Sequence, residues 1–191
     1  MSRAFTKEID DGPENDLPSI MGGELPAGVK NYMTPRGHRR LVDELRYLAE
    51  TKRPEVARLA AQAAATSDAL EEQTQKRNLR QTDARIQFLR QRMEQAEVVD
   101  PLKRAPTGKV FFGATVLFQN RKGEEKRVSI VGVDETDIAA GYISFLSPLA
   151  KALLCASEGD SLPFQSPSGV DELEVLEVAY REIAITPFAP A

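Results

Sequence analysis

The feature that most constrains this chain is a change of hydrophobic period partway along it. Between residues 34 and 99 apolar residues recur at helical spacing, and from Gly108 onward they follow a period of two. A period near 3.6 buries one stripe of a helix, and a period of two buries one face of a strand. A chain that runs the first pattern and then the second is expected to be an α+β protein with its helices and strands segregated.

In the helical stretch, Thr34 followed by Pro35 reads as an N-cap and first helical position. Leu41, Leu45 and Leu48 then fall on one face. Val56, Leu59 and the alanines Ala60, Ala61, Ala63, Ala64 and Ala65 continue the helix, and Pro54 is expected to kink it or to start a new turn. Leu79, Ile86, Leu89, Met93 and Ala96 make a second seam, spaced seven, three, four and three, as in a coiled coil. A short polar break near 66–73 separates the two, so an antiparallel helical hairpin is predicted. Lys76, Arg77, Arg80, Arg85, Arg90 and Arg92 read as a solvated face, some of it able to meet phosphates or a protein partner.

In the second stretch, 110–112, 115–118, 127–131, 142–145 and 173–178 read as strands. Residues 120–123 have the composition of a hairpin turn. Ser147-Pro148 predicts a short helix to Leu154 by the same cap-then-proline logic, which makes Ser147 a cap rather than a hydrolase nucleophile. Cys155 at its end is expected to be a small buried hydrophobe, and His38 to be exposed.

Composition excludes several classes of function. One Cys and one His in 191 residues allow neither an internal disulfide nor a structural zinc site. A formal net charge of -4 argues against nucleic-acid binding driven by bulk charge. No run approaches the ~20 apolar residues of a membrane span, and Met1 to Asp11 lack the apolar core of a signal peptide. A cytoplasmic protein is expected. Residues 1–30 carry Pro, Gly and acids without periodicity and are expected to be a disordered extension; a docking arm anchored by Phe5, Leu17, Ile20 and Met21 is the alternative. The expected organisation is then 1–30 extension, 31–100 hairpin, 101–107 linker marked by Pro101 and Pro106, 108–182 strand-rich domain and 183–191 tail.

At specific blocks the chain resembles a known family. In the second half these are 108–114 (Gly-Lys-Val-Phe-Phe-Gly-Ala), 130–135 (Ile-Val-Gly-Val-Asp-Glu), 142–144, 147–154 and Gly159-Asp160. In the hairpin they are 34–37, 43–48 and 53–56. From about Tyr32 to Tyr180 the chain resembles the GreA/GreB transcription elongation factors, its GreB members most. The resemblance implies an FKBP-like C-terminal domain that docks at the rim of the secondary channel of bacterial RNA polymerase. It implies a hairpin that enters the channel, and tip acids that help hold a second Mg²⁺ while the polymerase hydrolyses its backtracked RNA near the 3′ end. The factor would then be no enzyme, with no cofactor of its own and only a shared Mg²⁺, and would act as a monomer. Asp134, Glu135, Ser147, Pro148, Leu149 and Ala150 are the expected polymerase contacts.

The tip departs from the family pattern Gly-Asp-x-x-Glu-Asn-Ala-x-Tyr. Here 67–73 reads Ser-Asp-Ala-Leu-Glu-Glu-Gln. Ungapped reading from the first helix places the two acids at Asp68 and Glu71, three apart and able to face one way on a helical turn. Reading back from the second helix places them at Ala65 and Asp68, so the chain lacks about one helical turn. Apart from the resemblance, Asp68, Glu71 and Glu72 read as acids complementing the positive start of the second helix. A channel-occupying regulator that does not promote cleavage is therefore the alternative function. A prolyl isomerase has little support: the domain carries no Trp and no evident aromatic proline pocket, and fold does not carry function.

Overall fold

The structure, a computed structural model, describes residues 25–26, 28–65, 68–104, 108–166 and 169–190. The expected extension falls almost wholly outside the described residues, with Phe5, Leu17, Ile20 and Met21, and so does Pro106 of the expected linker.

Strand β1 (Asn31–Met33) leads into helix α1 (Pro35–Tyr47). Thr34 caps α1, its hydroxyl accepting from Gly37 N at 3.1 Å, with Pro35 at the first position. A π-helical turn, Leu48–Lys52, then precedes helix α2 (Arg53–Ala64). Pro54 has no N–H to return to the carbonyl of Glu50, and its ring crowds the preceding turn. A widened turn just before it accommodates both. Helix α3 (Ala69–Glu94) packs beside α1 and α2 and is followed by β2 (Ala96–Val98), which pairs in parallel with β1. Met33, Leu41 and Leu89 are buried at the base of the arm, with Leu45, Leu48 and Phe88 against them. Val56, Ala60, Ala63 and Ile86 are buried farther out. Ala96, expected on the helical seam, lies in β2: the helix ends at Glu94, and its exit pairs with its entrance.

The C-terminal module is a five-stranded sheet, completed by β3 (Thr115–Asn120), β4 (Glu125–Val131), β5 (Tyr142–Ser144), helix α4 (Pro148–Leu153), β6 (Ser161–Ser166) and β7 (Gly169–Ala179). The strand order is β5-β4-β3-β7-β6, with β4 and β5 parallel and the other neighbours antiparallel. The β3–β4 turn uses Asn120 Oδ1 to accept from Lys122 N and Glu124 N, both at 3.0 Å, while Gly123 takes φ 75°. That conformation favours glycine. The core comprises Val116, Phe118, Val128, Ile130, Leu173 and Val175 of the sheet with Val110, Phe112, Phe145 and Leu153 around them.

Three expectations are corrected, and one strand is added. Residues 110–112 form no strand: Val110 exchanges backbone hydrogen bonds of 2.8 Å with Cys155 and Ala156 at the end of α4. Strand β6 was not expected. Cys155 is exposed, with φ 70°, because the helix ends there in a turn that points its side chain outward. The segment from 183, read as a tail, packs: Ile183 and Ile185 are buried against Val131 and Tyr142.

Candidate functional site

Three places carry the candidate chemistry: the tip of the arm, the surface around α4, and the junction between arm and module. At the tip, Asp68 is the N-cap of α3. Its Oδ1 accepts from Leu70 N at 3.0 Å and Glu71 N at 3.1 Å, which satisfies two of the orphan donors of a helix start. Glu71 sits in the first turn and is exposed, and Glu72 pairs with Lys76 one turn on. Both expected tip acids therefore lie at the start of α3. Carboxylate oxygens suit Mg²⁺, but no group of three or more Asp, Glu, His or Cys that could hold a metal occurs among the described residues. Two exposed carboxylates can complete a metal site supplied by a partner; alone they make a poor one.

Around α4, Ser147 Oγ accepts from Ala150 N at 3.1 Å and fixes the helix start. Pro148 is exposed, Ser147 and Leu149 are half-buried, and Ala150 is fully buried in the core. The loop before β5 exposes Ile138 at 83%. Ala150 faces inward on a short amphipathic helix and is not placed to meet a partner.

Asp134 and Glu135 are also turned inward. They lie on a 3₁₀ turn, Val133–Glu135, directly after β4. Glu135 is 3% exposed. Its carboxylate accepts from Thr34 N at 3.0 and 3.1 Å, from Gly132 N at 2.8 Å and from the Thr34 hydroxyl. A Cβ added at Gly37 would collide with that carboxylate, so glycine is required where the arm meets the module. Asp134 faces Arg92 of α3, with Nε 3.5 Å from Oδ2 and side chains 6% and 4% exposed for Arg92 and Asp134. The Arg92 guanidinium also lies 5.1 Å from the centre of the Phe88 ring. Burial pushes the Asp134 carboxyl up, and Arg92 and Arg85 partly offset that. Burial raises Glu135 too, against the hydrogen bonds from Thr34 and Gly132. Glu135 is fully engaged by hydrogen bonds within the chain, while Asp134 faces Arg92 as a buried ion pair whose carboxylate oxygens accept no hydrogen bond among the described residues; both turn toward the contact between arm and module.

Local patterns miss this junction, because its partners are far apart in sequence. One signal was available for Arg92: it falls three residues after the buried Leu89, on the seam side of α3 rather than on the solvated face.

The sequence matches the family description "Transcription elongation factor, N-terminal" over residues 31–98 and "Transcription elongation factor, GreA/GreB, C-term" over 105–180. The chain is 45% identical over 158 residues to a transcription elongation factor GreB of Neisseria meningitidis, covering 81% of this chain and 97% of that one. It is 42% identical over 155 residues to a transcription elongation factor GreA of Xanthomonas axonopodis, covering 78% and 98%. Among solved structures, the GreA/GreB factor of Nitrosomonas europaea aligns at 25% identity over 79% of this chain and 100% of that one, with a TM-score of 0.36. Two family domains in order, and relatives matched over nearly their whole length, show that the chain belongs to the GreA/GreB family of transcription elongation factors.

Proposed function

We propose that this protein binds bacterial RNA polymerase, inserts the α2–α3 arm into the secondary channel and stimulates cleavage of backtracked RNA by the polymerase's own active site. The observation that carries the reading is the placement of Asp68 and Glu71, exposed at the end of the arm away from the module. The arm is read as an antiparallel hairpin. Glu44 meets Arg85 at 2.7 Å and Arg53 meets Asp83 at 2.6 Å, so partners descend on one strand of the arm as they climb on the other. Helix α3 has 26 residues, or ~39 Å at the usual rise, enough to hold its first turn far from the sheet. The module, with one short helix against an antiparallel-rich sheet, is read as FKBP-like and as the docking unit, with Pro148, Ser147, Leu149 and the Ile138 loop facing the channel rim. The protein acts as a cytoplasmic monomer.

Asp68 and Glu71 would hold Mg²⁺ jointly with polymerase groups, where the metal supplies Lewis acidity and an activated water. The chain's own work is to place charge and to keep it oriented. The Asp68 cap holds one carboxylate oxygen against the helix start, and Glu71 stands three residues on in the first turn.

A second reading has a specific observation behind it. Asp68 Oδ1 is already engaged with two backbone N–H groups, and the chain is about one turn shorter here than the family pattern. A regulator that fills the channel without promoting cleavage would look the same. The deciding assay is RNA cleavage on a backtracked elongation complex with the parent, Asp68→Asn and Glu71→Gln. Asparagine keeps the cap and removes the charge. The cleavage reading expects loss of at least about tenfold in rate, which is ~1.4 kcal/mol of transition-state stabilisation, at unchanged polymerase affinity. A parent that binds without cleaving establishes the second reading instead.

A further inference from the structure

The last strand ends at Ala179, and the family match ends at residue 180. Residues 181–190 have neither helix nor strand, yet they are held at three points. Ile183 and Ile185, 5% and 4% exposed, pack with Val131 at the end of β4 and Tyr142 at the start of β5. Glu182 pairs with Arg36 at 2.6 Å, in the first turn of α1. Phe188 packs on Tyr47, the last residue of α1, with ring centres 5.5 Å apart.

These contacts are ordered along α1. Arg36 and Tyr47 are separated by ~16 Å of helix at the usual rise. The chain from 182 to 188 reaches ~20 Å when extended. The segment therefore has little slack: it leaves the sheet edge and follows α1 outward to its end. The π turn Leu48–Lys52 begins at the next residue.

We propose that residues 181–190 are a splint that sets the direction of the arm on the module, with Phe188 and Tyr47 as positioning residues and the π turn as the first joint beyond it. The splint fastens only the lower arm, because no contact of the segment reaches past Tyr47 among those described. Its importance for activity rests on the proposed function, since an arm must aim into a channel while the module sits on the rim. Its existence does not, and it can be measured without polymerase.

Cys155 is the sole cysteine and is exposed, so it accepts one spin label; Gln87→Cys on the exposed side of α3 accepts the other. Pulsed dipolar spectroscopy then reads the distance distribution between module and lower arm in the full chain. Phe188→Ala, and a chain ending at Thr186, are expected to broaden that distribution roughly twofold, as release of a rigid body from its interface does. Phe188→Tyr keeps it narrow. Tyr47→Leu, which removes the ring from the other side, reproduces the broadening and guards against a folding defect at the C-terminus. Helical circular dichroism stays at the parent level throughout. Parent-width distributions in Phe188→Ala, the shortened chain and Tyr47→Leu overturn the proposal. Broadening in the shortened chain alone also overturns the role given to the ring pair.

Discussion

Glu135 shows how one side chain can serve two parts of a fold. It takes the N–H and hydroxyl of Thr34, which opens the arm, and the N–H of Gly132, which closes β4. Removing it leaves these donors buried without an acceptor, and each such loss costs about 1–3 kcal/mol. Glu135→Ala is expected to lower stability by about 3 kcal/mol in urea denaturation, far more than an exposed Glu→Ala change. Its titration gives a separate signature. The folded-state pKa lies above the ordinary 4.5 because burial disfavours the charge. The folded chain therefore holds this proton more tightly than the unfolded chain does. The stabilising effect of that proton is full below 4.5 and is lost as pH rises through the raised folded value. Measured against Glu135→Gln, the parent should lose stability as pH is raised above 4.5. Parallel pH profiles for the two proteins would rule this out.

At the scale of elements, α3 depends on its cap. Asp68→Ala is expected to cost about 1 kcal/mol, and Asp68→Asn only a few tenths, both read by thermal denaturation. If the two variants melt alike, the cap geometry is not what holds the start of α3. The helices, the β3–β4 turn and α4 were legible in the sequence because their signals are local: cap and proline at Thr34-Pro35 and Ser147-Pro148, and periodicity at Leu41, Leu89 and Val128. Strand β6 was not, because Pro163 interrupts it; the strand tolerates proline at the sheet edge, where only one side is paired. The apolar run 110–112 reads as a strand but is buried as an irregular segment, since burial alone does not choose between the two. The pairing of β1 with β2 joins two three-residue strands separated by the whole arm, and no short-range pattern encodes it. At the candidate site, the polar break between the helices was legible as the place where α3 starts, while the role expected of Asp68 and Glu71 came from the family resemblance and not from their spacing. The inward turn of Asp134, Glu135 and Ala150 depends on what folds over them.

For the whole molecule, the contact between arm and module decides whether they behave as one unit. The sequence suggests independence, because prolines mark a linker between them. The structure replaces that with a shared interior. Tyr32 packs on Phe112 and Phe145 at 5.5 and 5.7 Å, Asn31 Nδ2 donates to Arg92 O at 2.9 Å, and Arg92 faces Asp134 across the junction. Parts joined through a buried interface of this kind unfold together. Helical circular dichroism and the near-ultraviolet tyrosine signal, measured in a Tyr47→Phe background that leaves Tyr142 and Tyr180 of the module and Tyr32 at the junction, are therefore expected to follow one transition in the full chain. Arg92→Ala leaves the Asp134 carboxylate buried without its cation, at a cost of about 3–5 kcal/mol. That cost falls on the junction, so the arm should release first and the two signals should separate. Replacing both partners, Arg92→Met with Asp134→Leu, removes both charges and keeps the volume filled; such swaps are often neutral or stabilising. The double variant is expected to restore a single transition near the parent midpoint. If Arg92→Ala alone keeps coincident signals at the parent midpoint, the buried pair is not what couples arm to module, and the coupling rests on Tyr32 and Glu135.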